Sequence, residues 1–406
     1  MGVKKELRIS DDIISLKRIF HISRREILLH RERRMIKCPL CGSGKYVEIL
    51  SKKDVFIWTN ASDDLVTLRK KHDSIINQCE ACGHVYQPIS DDLRNILNDV
   101  YLSNQAQGST PLGKGNWGLE RARSFLNRFL NTINLRKYKS AIEIGCANGY
   151  LLKYLKNNGF KNLVGIEPSI SKTENKEGIL FLKDFANENL MLHQKYDLIF
   201  SVAVFEHIEE INSIIKFCKN NLSKDGVLYF SVPTAKRELE NGDPVLFSHQ
   251  HVHYYTKDSL IYLLSKNGFK IDSIISVTDS LHVCAENSNS NIEIFPKVTL
   301  YHDYQEKLER ILIKVENILR NNNTVVHGAN NALNNILCWL NKDFHFTLVD
   351  NDNTKHGKRY FNKIVKCIED IDLINYDSVL IIPTNFYEII KTDTLFQSED
   401  EPETSL

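Results

Sequence analysis

The sequence predicts an α/β protein whose largest domain is built on a doubly wound parallel sheet, with a smaller domain on either side. Three features predict this architecture. Residues 141–155 read as a strand, a loop bounded by Gly145 and Gly149, and a helix. Two C-x-x-C pairs precede that unit. A second strand with a glycine turn follows it, at residues 324–331.

Composition limits the function classes. A chain of 406 residues has room for two or three domains. Its net charge of +1 produces no strong electrostatic field that would attract nucleic acid. No apolar run approaches the length of a membrane span, and no secretory signal is recognisable. We therefore expect a cytoplasmic protein, in which thiols stay reduced. Its nine cysteines then indicate metal ligands and buried apolar side chains, not disulfides.

Changes in composition and hydrophobic periodicity along the chain divide it into six parts. We expect a basic helical extension at 1–36, a zinc-binding domain at 37–105, the doubly wound domain at 106–290, a linker helix within 291–323, a small Rossmann-like domain at 324–395, and a disordered tail at 396–406. The extension fits a packing or oligomer-forming helix, with a membrane-surface helix as the alternative. Its sequence leaves the oligomeric state open.

Four cysteines have the spacing of a structural zinc site. They are Cys38, Cys41, Cys79 and Cys82, and each C-x-x-C pair is followed by a glycine. Four thiolates close a tetrahedral Zn²⁺ site and leave no open position for a reacting water. A redox pair is the weaker alternative, because neither motif begins a helix after a strand.

The glycine-bounded loop favours a cationic cofactor. It reads Gly145-Cys146-Ala147-Asn148-Gly149, so the G-x-G-x-x-G spacing of dinucleotide sites is absent. Glu143 lies at the strand end just before the loop, where a carboxylate would repel a pyrophosphate and attract an ammonium. The cofactor that fits is S-adenosylmethionine (SAM), which carries no phosphate. An ordinary strand–helix turn is the alternative.

Acids also end the next two strands. Glu167, followed by Pro168, is placed to accept hydrogen bonds from ribose hydroxyls. Asp184, followed by Phe185, is placed either to meet the adenine amino group or to cap a helix.

Residues 247–256, which we call the acceptor segment, hold three histidines and two tyrosines. Strand alternation would put His249, His251 and His253 on one face. A histidine there suits a general base beside the substrate. The alternatives are a second metal site and polar packing ahead of a helix at 257–264.

The order of these parts resembles the sugar C-methyltransferases, which methylate C3 of nucleotide-linked 4-keto-deoxysugars. Glu143, Gly145 and Gly149 match the first motif of class I SAM methyltransferases, and the resemblance runs from Cys38 to about Lys391. It implies that His251 is the base. It also implies that the end of the fourth strand faces the cofactor, with Ser201, Ala203 and His207 on the cofactor side. The C-terminal domain is then expected to help hold a nucleotide-sugar, with a dTDP-sugar as one candidate.

Two motifs depart from that family. Its acceptor motif resembles His-Glu-His, whereas this chain has His249-Gln250-His251. An amide at Gln250 cannot raise the basicity of a neighbouring histidine as a carboxylate does. The family's Gly-Gly-Ser-Leu-Arg is replaced by residues 278–282, which end in Leu281-His282.

The resulting hypothesis is C-methylation of a nucleotide-linked keto-sugar, in cell-surface polysaccharide or natural-product sugar biosynthesis. His251 removes the acidic C3 hydrogen, and Tyr101 and Tyr254 bond the ketone oxygen. The first alternative is O-methylation of a sugar or glycan hydroxyl. The second is a zinc-stabilised binding protein without catalysis, which failure to bind S-adenosylhomocysteine would favour.

Overall fold

The computed structural model describes residues 37–57, 70–102, 125–277, 279–288, 294, 296–321, 323–383 and 390–391. The expected basic extension and the acidic tail therefore lie outside the described residues. Within the described ranges, no helix combines the length and the apolarity that crossing a bilayer would require.

An eight-stranded sheet forms the centre of the molecule. Its order is β11-β12-β9-β8-β4-β5-β7-β6. The strands are β4 (Ser140–Ile144), β5 (Asn162–Ile166), β6 (Glu174–Lys176), β7 (Ile179–Leu182), β8 (Tyr196–Val202), β9 (Leu222–Pro233), β11 (Phe269–Val277) and β12 (Ser280–Asn287). Five of them, from β7 through β5, β4 and β8 to β9, run parallel, which confirms the predicted parallel core. The antiparallel β11–β12 hairpin at one edge was not predicted.

The helices that pack around the sheets begin and end as follows. They are α1 (Asp91–Leu102), a helical stretch at 125–132, α2 (Tyr150–Asn157), α3 (Ile211–Asn221), α4 (Lys236–Asn241), α5 (Lys257–Lys266), α6 (Tyr304–Asn321) and α7 (Asn331–Leu340). In α2 the leucines at 151, 152 and 155 are buried on the sheet, since these spacings place them on one helical face. This packing fixes the helix that follows the glycine loop.

The chain order places a crevice at the carboxyl end of β4. From β4 the chain passes to β5 on one side, and β8 pairs with β4 on the other side. Ligands of doubly wound sheets bind where the strand order reverses in this way. The crevice is the place where the glycine loop lies.

A second sheet joins the cysteine-rich part to the acceptor segment. It consists of β1 (Tyr46–Phe56), β2 (Lys71–Cys79), β3 (Val85–Tyr86) and β10 (His253–Tyr254), in that order. β10 belongs to the acceptor segment and pairs antiparallel with β3. This pairing was not predicted, because both strands are only two residues long.

The linker helix is shorter than the periodicity predicted. The sequence predicts a linker helix within 291–323, but α6 starts at Tyr304. The Gln78 side chain explains the difference, since it donates to Thr299 O at 2.8 Å and accepts from Tyr301 N–H at 2.9 Å. Those backbone groups are drawn against the second sheet and are not available to a helix.

The C-terminal part contains a three-stranded parallel sheet, ordered β14-β13-β17, and a short hairpin. The strands are β13 (Thr324–His327), β14 (Thr347–Val349), β15 (Arg359–Tyr360), β16 (Lys363–Ile364) and β17 (Ser378–Ile381). Asn331 and Asn335, one turn apart on α7, both donate to Phe247 O, at 2.6 and 2.7 Å. The C-terminal part is thereby fastened to the start of the acceptor segment.

Candidate functional site

A cavity of about 740 Å³ opens at the carboxyl ends of β4, β5 and β8. This is within the range of about 300–1,000 Å³ that small-molecule sites occupy. Its wall includes the glycine loop, much of the acceptor segment, the end of α1 and the first residue of α7. Most of the predicted cofactor residues and most of the predicted acceptor residues therefore share one cavity.

The glycine loop is shaped by close packing at its first residue. Gly145 has φ +73°, and a Cβ there would lie 2.4 Å from Val204 Cγ2. Any side chain would therefore strain the backbone and clash with Val204, two residues past the end of β8. Its N–H donates to Ile166 O at 2.8 Å, which holds the loop over the end of β5. The loop can thus come close to a ligand in the crevice.

Glu143 gives the cavity a buried negative group. The residue is 5% exposed, and no donor among the described residues meets its Oε2. Burial raises the pKa of Glu143, and the negative charge of Glu167 raises it further. A buried carboxylate of this kind is stabilised by a cationic or donating ligand group. This environment fits the ammonium group of SAM.

Glu167 organises the neighbouring part of the wall. One of its oxygens accepts from Ala147 N–H at 3.1 Å, and the other accepts from Ser169 N–H at 3.0 Å and its hydroxyl at 2.7 Å. A carboxylate has about four acceptor positions, so capacity for a ribose hydroxyl remains. Asp184 and Phe185 lie on the same wall, and the Phe185 side chain is half exposed.

The structure separates the predicted cofactor residues into two groups. Those that line the cavity are Glu143, Gly145, Cys146, Ala147, Asn148, Glu167, Pro168, Asp184, Phe185, Ala203 and His207. Gly149 and Ser201 are not among the residues that line this cavity, so direct contact of either with the cofactor stays a prediction. Ser201 is buried and donates to Ile144 O at 3.0 Å, which ties β8 to β4. Gly149 packs against the Phe181 ring, where a Cβ would come within 2.6 Å.

The three histidines of the acceptor segment point to different surroundings, which corrects the prediction that they share one strand face. Only His253 and Tyr254 are in a strand, because the preceding residues form a turn closed by His251 N–H to Ser248 O at 3.0 Å. His251 lies on the cavity wall. His249 is buried outside it and donates through Nδ1 to Gln87 Oε1 at 3.2 Å. Burial lowers the pKa of His249 to about 4.

His253 belongs to a chain of hydrogen bonds with fixed tautomers. Its Nε2–H donates to Ile208 O at 2.8 Å, so Nδ1 accepts from Nε2–H of His84 at 2.9 Å. Burial lowers the pKa of His253 to about 4. Both rings are neutral and help to hold β10 beside β3 within the second sheet.

His251 has a polar neighbourhood on the wall. The His207 ring lies 4.9 Å from the His251 ring, centre to centre. Nδ1–H of His207 donates to Gln250 O at 2.7 Å, and its Nε2 lies 3.7 Å from Glu206 Oε1. Ligand atoms of Glu206, His207 and His251 all lie within 4.8 Å of one another. Sequence reasoning missed Glu206, although a Glu-His pair directly after a central strand was a usable signal.

The two tyrosines expected to bond a ketone oxygen are both engaged with backbone. The Tyr254 hydroxyl donates to Ser248 O at 3.0 Å and accepts from Ser248 N–H at 3.3 Å. That arrangement contradicts the expected role of Tyr254. The Tyr101 hydroxyl donates to Gln250 O at a longer 3.2 Å, and its ring lies 5.8 Å from that of His207.

The four cysteines of the two C-x-x-C pairs come together as a compact cluster. The Sγ atoms of Cys38 and Cys82 are 3.6 Å apart, and those of Cys41 and Cys79 are 3.5 Å apart. A tetrahedral site with Zn–S bonds of about 2.3 Å requires S–S distances near ~3.8 Å. The donor set therefore fits Zn²⁺, with four protein ligands and no open position.

The second sheet holds the acceptor segment through Gln87. Its side-chain NH₂ donates to His249 O at 2.9 Å and to His251 O at 3.3 Å, and its backbone N–H donates to Val252 O at 2.9 Å. Gln87 is 2% exposed and lies just past β3. The cysteine-rich part therefore fixes the backbone on either side of His251.

In the C-terminal part, the acid at the end of β14 is already paired. Asp350 Oδ2 accepts from Ala329 N–H at 2.9 Å and from the Lys355 ammonium at 2.8 Å. His282, from the motif that departs from the family, is buried and bonded through Nδ1 to the Tyr229 hydroxyl at 3.0 Å. Asp279 of that motif lies on the cavity wall, and Thr278 is outside the described residues.

Comparison with known sequences identifies the central domain. Residues 116–274 match the family model described as "Methyltransferase domain" (Methyltransf_23). This match and the sheet order confirm the prediction of a SAM-dependent methyltransferase domain with a Rossmann-like α/β fold.

Three curated relatives differ in chemistry. C-methyltransferase NovU of Streptomyces niveus is 20% identical over 227 residues, covering 50% of this chain and 54% of that protein. Ubiquinone biosynthesis O-methyltransferase of Actinobacillus pleuropneumoniae is 26% identical over 159 residues, covering 36% and 63%. tRNA U34 carboxymethyltransferase of Campylobacter jejuni is 31% identical over 130 residues, covering 29% and 42%. The chain thus spans about half the length of these relatives.

A solved structure also matches part of this chain. The N-methyltransferase NodS of Bradyrhizobium japonicum in complex with S-adenosyl-l-homocysteine is 17% identical, with a TM-score of 0.36, and covers 48% of this chain and 99% of that chain.

Proposed function

We propose that this protein is a SAM-dependent C-methyltransferase that acts on C3 of a nucleotide-linked 4-keto-deoxysugar. One observation carries the proposal: His251 lies on the wall of the same cavity as the Glu143 carboxylate and the glycine loop. A base and a cofactor site that share one cavity can bring an acidic carbon next to a methyl donor.

The cofactor side consists of the glycine loop, Glu143 and Glu167. Glu143 would pair with the ammonium group of SAM, and Glu167 would accept from ribose hydroxyls while keeping the loop in place through Ala147 N–H. When bound, SAM supplies the methyl group. The loop and α2 position the cofactor and exclude water from that end of the cavity.

On the acceptor side, His251 takes the C3 proton, which the adjacent ketone acidifies. A positioned base of this kind contributes roughly 10²–10⁴-fold to the rate. The proton stays on the imidazole while the carbon is methylated. Glu206, within reach of both His207 and His251, stabilises positive charge at this place. It thereby supplies the carboxylate that the amide at Gln250 does not.

We further propose that the four-cysteine cluster holds one structural Zn²⁺. The nucleotide-sugar contacts the C-terminal part through Asn331 on the cavity wall. The protein works in the cytoplasm, in polysaccharide or natural-product sugar synthesis.

The second candidate is O-methylation of a sugar hydroxyl by the same histidine. The observation that favours it is Gln250, which replaces the carboxylate of the C-methyltransferase motif. One curated relative is named as an O-methyltransferase, so the sequence comparisons leave both chemistries open.

The deciding experiment incubates the purified chain with labelled SAM and a panel of keto and reduced nucleotide-sugars, and reads the products by mass spectrometry and NMR. A methyl group on the carbon beside the ketone supports C-methylation, and a methoxy signal supports the second candidate. His251→Ala should lower turnover by roughly 10²–10⁴-fold with unchanged affinity for S-adenosylhomocysteine. His302→Ala, at an exposed position, is the matched control. Loss of S-adenosylhomocysteine binding in His251→Ala would contradict the assignment.

A further inference from the structure

Besides Glu143 and Glu206, a third buried carboxylate lies on the cavity wall and has no role in the chemistry described above. Glu238, in the short helix α4, is 5% exposed, and its Oε2 meets no donor among the described residues. Burial raises the pKa of Glu238. Buried polar groups in folded proteins nearly always have hydrogen-bond partners, so we expect a ligand to donate to this oxygen.

An amide oxygen on the same wall, that of Asn331, is also buried without a donor among the described residues. Asn331 donates through Nδ2 to Val245 O at 2.9 Å and to Phe247 O at 2.6 Å, which fixes the orientation of its amide. Its Oδ1 is buried and has no donor among the described residues. The amide oxygen is therefore aimed as an acceptor by the chain itself.

The two residues are held by the same short connection. Asp243 N–H donates to Glu238 O at 3.0 Å, and two residues later Val245 O receives the Asn331 amide. Ala235 N–H, at the start of α4, donates to Tyr255 O at 2.9 Å. Glu238 and Asn331 are thus mounted on elements fastened to the acceptor segment.

We propose that Glu238 and Asn331 form a recognition subsite for a hydrogen-bond-donating substituent of the methyl acceptor, either an amino group or a hydroxyl group. This inference rests on the proposed function. Two acceptor oxygens without donors select a ligand group that brings protons, and they repel a phosphate or carboxylate. The nucleotide phosphates of the acceptor are accordingly bound elsewhere in the cavity. A site built to bond such a group also discriminates strongly against an analogue that lacks it.

The test uses the full chain and three nucleotide-linked keto-sugars that differ at one ring carbon, which carries an amino group, a hydroxyl group or hydrogen only. For the wild type we expect KM to be on the order of tenfold or more lower for the two donor-bearing sugars than for the deoxy sugar. Glu238→Ala should remove most of this preference by raising KM for the donor-bearing sugars, with kcat changed by less than about threefold. S-adenosylhomocysteine affinity should not change.

Two further variants sharpen the design. Glu238→Gln keeps the shape and an acceptor oxygen but removes the charge, so it should lose the preference for the amino sugar and keep that for the hydroxyl sugar. If Glu238→Ala does not fold, this variant still carries the test. Glu240→Gln is the matched control, since Glu240 is on the same helix but forms an exposed ion pair with Lys236.

The outcomes separate the two proposals. If the wild type methylates the panel but Glu238→Ala, or Glu238→Gln in its place, keeps the full preference for donor-bearing sugars, the subsite is refuted and the proposed function stands. If the wild type shows no preference among the three sugars, the subsite is likewise refuted. If the wild type methylates no nucleotide-sugar, both proposals fail together.

Discussion

Replacing Gln87 with alanine tests whether the cysteine-rich part positions the proposed base. The Gln87 side chain makes three hydrogen bonds to the acceptor segment: to His249 O, to His251 O and from His249 Nδ1–H. None of these atoms belongs to the cavity chemistry itself. The variant therefore changes the support of His251 and not its chemical identity.

The expected magnitude follows from the number of bonds. Each contributes about 1 kcal/mol net, so their loss removes about 3 kcal/mol of support from the acceptor segment. If that support serves only to hold His251 in its reactive position, kcat/KM falls by up to roughly 100-fold, since about 1.4 kcal/mol corresponds to tenfold. Affinity for S-adenosylhomocysteine, bound at the other side of the cavity, stays constant.

The assay compares Gln87→Ala with Gln78→Ala. Gln78 is also buried in the second sheet and also makes three side-chain hydrogen bonds, but these go to Gly83, Thr299 and Tyr301. Both variants should lose similar stability, and zinc content is measured in both. Only Gln87→Ala should lose turnover at a temperature where both are folded. Equal kinetics in the two variants would refute the positioning role of Gln87.

Two other predictions concern the loss of bound zinc and the loss of stability at low pH. Cys79→Ser should reduce bound zinc from one equivalent to none and should lower both stability and turnover. Cys367→Ser, outside the cluster, should leave zinc content, stability and turnover unchanged. Zinc analysis, thermal unfolding and turnover assays check this. Stability should also fall as the pH drops from about 6.5 towards 4, because folding lowers the pKa values of His249 and His253 to about 4, so both rings are neutral in the folded protein and take up protons on unfolding. Each contributes at most about 3 kcal/mol, and denaturant titrations at several pH values should give a smaller loss in His249→Asn. An equal loss in that variant would show that His249 does not contribute.

The parallel core could be predicted because its signals are local. β4, β5 and β8 are short buried runs, and Gly145 and Glu167 directly follow β4 and β5, so the position of the cofactor side followed from neighbouring residues. The direction of the Ser201 side chain could not be predicted, because a place at a strand end does not reveal which face a side chain takes. Its hydroxyl donates to Ile144 O in β4.

The acceptor side could not be read in the same way, because its geometry depends on contacts between distant parts of the chain. Alternation predicted one face for three histidines, but Gln87, His84 and Glu206 come from other elements and give each histidine a different environment. Sequence spacing holds no information about such partners. The same holds for Glu238 and Asn331, which are 93 positions apart and meet the same cavity.

The pairing of β3 with β10 gives the proposed Zn²⁺ at the four-cysteine cluster a structural role. Two strands of two residues cannot be stable by themselves, since each contributes only a pair of backbone interactions. A closed tetrahedral metal site makes the turn before β3 rigid, because Cys79 and Cys82 would both be ligands directly ahead of His84 and Val85. That rigidity passes through His84 and Gln87 to the backbone beside His251. A metal that takes no part in the chemistry would in this way set the position of the group that does.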